Sequence, residues 1–179
     1  MFIWQVLQHL YLTVSGMNNK LFNKIYYYTV TNELAKHFAI FVSGLSRPAF
    51  MSIYAIGVFC LYLSGREGMV KVIAVPFFTL LFNTILRKIL NKPRPFNRDD
   101  VVKLVDHKNN GSFPSNHACS AMIISLSFII ICPVLVPCFV LFAFMTGLTR
   151  VMTGVHYPYD VICGWLISLV SGLTFFVFL

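Results

Sequence analysis

Two histidines, two arginines and one aspartate, spread over three short stretches, are the residues of this chain with the most chemistry to offer. The stretches are Arg87-Lys88-Ile89-Leu90-Asn91-Lys92-Pro93-Arg94-Pro95, then Pro114-Ser115-Asn116-His117, then the run from Arg150 through His156 to Asp160. His156 and Asp160 are four residues apart, so a continuous helix would put them on one face. A carboxylate bonded to one imidazole nitrogen fixes the tautomer and leaves the other nitrogen free to attack or to abstract a proton. His156 can then act as a nucleophile on phosphorus, oriented by Asp160. A structural His–Asp pair that caps a helix would satisfy the same spacing.

Arg94 stands between two prolines, which hold the backbone extended and stop a preceding helix. Its planar fork can bind two phosphate oxygens at once. Arg150 closes another apolar run; for either arginine alone, snorkelling to lipid headgroups is the plainer role. Ser115 and Asn116 precede an apolar helical run and read as an N-cap. A helix start also presents free N–H groups to an anion. His117, in that first turn, would face the same anion and could give it a proton. A metal centre would need ligands from His107, His117, His156, Asp99, Asp100 or Asp106. None of these falls in an HxxxH, HxxE or paired-carboxylate spacing, and the neighbouring cations oppose a divalent ion, so no metal is expected.

The elements that must position these groups are membrane helices. Of 179 residues, 58% are hydrophobic and 11% charged, which a water-soluble domain of this size cannot accommodate. The expected fold class is all-α, an integral membrane six-helix bundle, formed by a single domain over 1–179. Helical runs are predicted over 21–43, 49–63, 69–90, 117–132, 138–151 and 158–179, with a polar connection over 91–112. Residues 1–20 read as an interfacial N-terminal segment. They lack the basic flank and cleavage site of a signal peptide. The five cysteines lie in or beside apolar runs without metal-ligand spacing and read as reduced, packed thiols. Span order alone has a geometric consequence. The third span ends at the first stretch, the fourth begins at the second, and the fifth and sixth meet at the third. Antiparallel neighbours then bring all three stretches to one membrane face, where the active site is expected.

The net charge is +8, and seven of the fourteen basic residues lie between Arg87 and Lys108. Such a cluster is either a positive-inside loop or a site for an anion, and the three stretches favour the anion.

At these residues the chain resembles the type-2 phosphatidic acid phosphatase family of membrane lipid phosphatases. The family pattern is KxxxxxxRP, PSGH and SRxxxxxHxxxD. Arg94-Pro95, Pro114-Ser115-Asn116-His117, and Arg150 with His156 and Asp160 reproduce its spacing over more than half the chain. Arg87 stands at the family's lysine, with Lys88 beside it. Asn116 stands for the usual glycine, and Thr149 for the serine. The resemblance implies metal-independent, cofactor-free hydrolysis in two steps. His156 would form a phosphohistidine, and His117 would protonate the leaving oxygen. Arg87 or Lys88, Arg94, Ser115, Asn116 and Arg150 would hold the phosphate oxygens. If position 116 requires a left-handed backbone, asparagine is the next most tolerant residue after glycine.

Within the family the motifs are most similar to those of bacterial undecaprenyl-diphosphate phosphatases. The resemblance thus implies a polyprenyl or phospholipid phosphate as substrate, no nucleic acid, and a place in the bacterial cell (inner) membrane with the site on the extracytoplasmic face. A positive-inside count would put that face in the cytoplasm; the resemblance is preferred because these cations are recruited for phosphate. Phosphatidate or phosphatidylglycerophosphate hydrolysis, and a non-catalytic phospholipid-binding member, remain as alternatives.

Overall fold

The computed structural model describes residues 2–178, with side chains described from residue 15 onward. It is helical throughout: α1 (Phe2–Thr31), α2 (Glu33–Leu63), α3 (Met69–Leu90), α4 (Asn116–Ile131), α5 (Val136–Met152) and α6 (Pro158–Leu173), the last continued by a π-helical turn over Thr174–Phe178. The six-helix count matches the expectation, but the first boundary does not. A break was expected between the runs 21–43 and 49–63; the chain instead breaks at Asn32. The reason is local. The Asn32 side chain accepts from Ala35 N–H at 3.0 Å, and Glu33 adds an acid in the first turn, which together start a helix. Pro48 sits inside α2 and removes only its own N–H bond, a loss that membrane helices tolerate. The interfacial reading of 1–20 rests largely on side chains that lie outside the described residues.

Four stretches are long and apolar enough to cross a membrane: Glu33–Leu63, Met69–Asn97, Pro133–Met152 and Pro158–Phe178. The chain is a multi-pass membrane protein. Helix α4 is shorter than these and organises the rest. Its sixteen residues would reach only about 24 Å, and ten of them are buried, on all sides of the helix. It is a core helix walled by α2, α3, α5 and α6. Bulky side chains such as Phe77, Phe78 and Phe82 face outward instead, as lipid permits.

Small and hydroxylated residues close the helix contacts, as expected where lipid gives helices no hydrophobic reason to associate. A Cβ added at Gly164 of α6 would come within 2.7 Å of the Ser115 carbonyl oxygen, so only glycine lets α6 lie against the start of α4. Ser168 donates to the Cys119 carbonyl at 2.8 Å, Ser125 to that of Phe139 at 2.9 Å, and Tyr54 to that of Val72 at 2.7 Å. At the far end Arg66 caps α4 by donating to the Ile130 and Ile131 carbonyls. The opposite end, where α3 and α5 stop and α4 and α6 start, carries the three stretches.

Candidate active site

Helix α6 begins with Pro158 in its first turn, where the missing N–H is harmless. Asp160 occupies the third position and folds back to accept the Tyr157 N–H at 2.8 Å. The same oxygen, Oδ2, accepts a short hydrogen bond from Ser112 Oγ and lies 3.5 Å from His156 Nδ1. Ser112 Oγ is itself 3.4 Å from that nitrogen. One carboxylate thus caps the helix and backs the imidazole, so capping and orientation are the same contact.

On the other side of the ring, Arg94 NH1 lies 3.2 Å from His156 Nε2. A guanidinium can only donate, so Nε2 must be the acceptor and Nδ1 must carry the proton. That is the tautomer a nucleophilic Nε2 requires. Burial lowers the His156 pKa to about 4, against the opposing pull of Asp160, so the ring is neutral at pH 7.

Arg94 is as deeply buried as His156. Its five N–H groups are all occupied: Nε donates to the Asn110 carbonyl at 2.8 Å, NH1 to that of Val155 at 2.8 Å and to His156, and NH2 to Asn110 Oδ1 at 2.7 Å and the Gly111 carbonyl at 3.0 Å. The arginine therefore ties the 110–111 segment to the turn before α6. A phosphate on this group would have to replace the acceptors from Asn110 and Gly111.

Beside this pair lies a cavity of about 870 Å³. His117, Asn116, Arg87 and Arg150 stand on its wall together with His107, Lys108, Asn110, Ser43 and Arg47. Four cations against the single carboxylate of Asp106, which is exposed and paired with Lys103 at 3.0 Å, make it a cavity for an anion. Arg150 is buried; its NH2 donates to the Ser43 carbonyl at 3.1 Å, while its Nε has no acceptor. Arg87 projects into the cavity from the last turn of α3, whereas Lys88 is exposed and lies off the wall. Of the two, Arg87 is the one that stands on the cavity wall.

Two of the expected phosphate ligands are otherwise engaged. Ser115 is fully buried as the N-cap of α4; its Oγ accepts from Ala118 N–H and its own N–H donates to the Asp160 carbonyl at 2.9 Å. Asn116 is the first residue of α4 and has helical backbone, not the left-handed conformation that would favour glycine. Its amide bonds Asn83 at 2.5 Å and Thr84 at 2.9 Å, locking the start of α4 to α3. Both residues shape the site, and Asn116 also forms part of the wall.

His107 was weighed in the sequence only as a metal ligand, yet it packs edge-on against His117 and His156, with ring centroids 5.6 and 5.9 Å away. The ligand nitrogens of the three rings lie within 4.8 Å of one another. No sequence spacing could show this, because each ring comes from a different element. The distances would suit a metal ion, but Arg94 already donates to His156 Nε2, and Arg87 and Arg150 add charge of the wrong sign. Ser112, Asn110 and Arg47 were also not singled out from the sequence. Ser112 lies three residues before Ser115 in a polar connection, with nothing local to mark it.

The arrangement can do one thing well. It offers a neutral imidazole whose Nε2 lone pair is held by Arg94 NH1 until that bond is released, a second imidazole within reach, and guanidinium groups around the space where negative charge would build.

Comparison with known proteins agrees in kind. The PAP2 superfamily model matches residues 68–179. An undecaprenyl-diphosphatase, BcrC, of Bacillus subtilis is 27% identical over 166 residues, covering 90% of this chain and 84% of its own. A lipid A 1-phosphatase of Rhizobium johnstonii is 32% identical over 97 residues, 49% of this chain and 40% of its own. Among solved structures, Aquifex aeolicus LpxE superposes with a TM-score of 0.67 at 25% identity, over 88% of this chain and 93% of its own. A transmembrane PAP2-type phosphatidylglycerolphosphate phosphatase of Bacillus subtilis gives a TM-score of 0.72 at 21% identity, over 93% and 86%, which speaks for the fold. With the domain match spanning more than half its length and its three stretches meeting at one membrane face, this chain belongs to the PAP2 superfamily of membrane lipid phosphatases.

Proposed function

We propose that the protein hydrolyses undecaprenyl diphosphate to undecaprenyl phosphate, without a metal or cofactor, through a phosphohistidine. The observation that carries the mechanism is the His156 ring, held between Asp160 and Ser112 on one side and Arg94 on the other, with its lone pair at Nε2. In the first step Arg94 NH1 releases Nε2, Nε2 attacks the terminal phosphorus, the bond from phosphorus to the bridging oxygen breaks, and His117, protonated once the bound phosphate dianion stands beside it, gives that oxygen a proton. In the second step a water attacks the phosphohistidine, His117 takes its proton, the P–N bond breaks and phosphate leaves. Arg87, Arg94 and Arg150 stabilise the charge on the phosphoryl oxygens, with Arg94 exchanging its Asn110 and Gly111 acceptors for them. The Ser115 cap and the Asn116 anchor keep the start of α4, and with it His117, at the phosphate.

The substrate assignment is supported by the likeness to the Bacillus subtilis undecaprenyl-diphosphatase along nearly the whole chain. The proposal includes a location in the bacterial cell (inner) membrane with the site on the extracytoplasmic face. The test is phosphate release in detergent, with chelator present, from undecaprenyl diphosphate, phosphatidate and phosphatidylglycerophosphate. Hydrolysis of the diphosphate that His156→Ala abolishes supports the proposal. A strict need for a divalent metal, or lipid binding with no phosphate released, refutes it.

A further inference from the structure

Two cations on the cavity wall, Lys108 and Arg47, have no place in the mechanism above. Arg47 comes from α2, outside the region 68–179 that matches the superfamily. It is exposed, and among the described residues it forms no ion pair.

Arg47 lies one helical turn after Ser43, and the Ser43 carbonyl is the acceptor for Arg150 NH2. Residues four apart share a helix face, so Arg47 stands beside the arginine whose Nε is buried without an acceptor. From Arg47 to Leu63 the helix would run about 25 Å, close to the thickness of the hydrocarbon core. Because Arg66, just beyond Leu63, caps the far end of α4, Arg47 lies at the membrane surface that carries His117 and His156.

Snorkelling would explain an arginine at that depth. It does not explain why the side chain lines the cavity shared with His117, Arg87 and Arg150. Nor does a single phosphate need the space. About 870 Å³ is near the upper end for pockets that hold whole drug-sized ligands.

We infer that Arg47, with the free Nε of Arg150, forms a second anion subsite that binds the phosphate retained by the lipid when the terminal one is removed. Arg47 is then a residue that selects diphosphates over monophosphates. The inference rests on the hydrolytic reading above and deepens it. Most of the shared superfamily residues handle the transferred phosphoryl group, Arg150 spans both phosphates, and a cation from outside the matched region reads what lies behind.

The experiment uses the full chain in detergent and inhibits the hydrolysis of whichever lipid the wild type turns over. Two probes are compared: methylenediphosphonate, a diphosphate that cannot be cleaved, and orthophosphate. In Arg47→Gln the inhibition constant for methylenediphosphonate should rise about ten- to a hundredfold, the effect of losing one charge-assisted contact. That for orthophosphate should stay within threefold. Arg47→Lys, which keeps the charge but not the fork, should fall between them and serves if the glutamine variant does not fold. A merely structural role would move both constants together. Equal changes for the two probes, or no change for either, overturns the inference while leaving the hydrolytic reading intact. A wild type that releases phosphate from none of the lipids removes both, and shows it before any variant is made.

Discussion

Replacing Asp160 with asparagine isolates the part of the His156 environment that should matter only during reaction. The substitution keeps shape and leaves an amide oxygen to accept the Tyr157 N–H, so the start of α6 stays capped. The tautomer should also survive, because Arg94 still donates to Nε2 and leaves the proton on Nδ1. What goes is a negative charge 3.5 Å from the nitrogen that becomes part of a cation when Nε2 attacks phosphorus. Two unit charges at that distance attract by about 5 kcal/mol at an effective dielectric constant near 20. The amide dipole and Ser112 would recover a part, leaving a net loss of roughly 3–4 kcal/mol in the transition state. That corresponds to a fall in kcat of about 10²–10³. KM should change little, since Asp160 does not line the cavity. Ser112→Ala removes one charge-assisted hydrogen bond to that carboxylate and should cost about ten- to a hundredfold. The assay is single-turnover phosphate release in detergent, with a thermal unfolding scan to confirm that the fold is retained. A folded Asp160→Asn protein with kcat within threefold of wild type would refute the argument, because the carboxylate would then be only a helix cap.

Three further outcomes follow from the geometry. Arg87→Ala should lower kcat/KM a hundredfold or more while Lys88→Ala stays within about threefold, because only Arg87 stands on the cavity wall; phosphate release measures both. Gly164→Val should shift α6 from the start of α4, since even its Cβ would meet the Ser115 carbonyl at 2.7 Å; a loss of about 1–3 kcal/mol should appear as a lower Tm together with reduced activity. Stability should also fall with acid. The His156 pKa is depressed in the folded protein, from its ordinary 6.5 to about 4, so its neutral form contributes fully above about pH 6.5 and is penalised as the pH falls towards 4. The penalty is on the order of 3 kcal/mol, and it should be missing from the pH dependence of unfolding in His156→Gln.

Much of this site was legible in the chain before any fold was known. Hydropathy alone required membrane helices, because 58% hydrophobic residues cannot be hidden from water in a chain of 179. The order of the spans put Arg94, His117 and His156 at one face, since antiparallel neighbours alternate direction. The four-residue interval between His156 and Asp160 announced their partnership, although the contact is made across a helix start and Asp160 caps that helix as well. These were readable because each depends on periodicity or on intervals of a few residues.

Tertiary structure decided what local intervals could not. Apolar content over 21–63 concealed the break at Asn32, because hydropathy does not register a cap, and a proline in a lipid-embedded helix need not end it. The rotation of α3 put Arg87 on the cavity wall and Lys88 off it, adjacent residues that composition cannot separate. The path of the 91–115 connection brought His107, Asn110 and Ser112 against His156 and Arg94, so a buried arginine expected to hold phosphate is met first by backbone carbonyls of its own chain. Asn116 bonds the neighbouring helix instead of pointing its amide at an anion. The sequence by itself determined which chemical groups could meet and on which side of the membrane bundle, because helix periodicity and span order are local and repetitive. Which of them touch, and which are already occupied, was settled by loop path and helix rotation, since those depend on contacts between residues tens of positions apart.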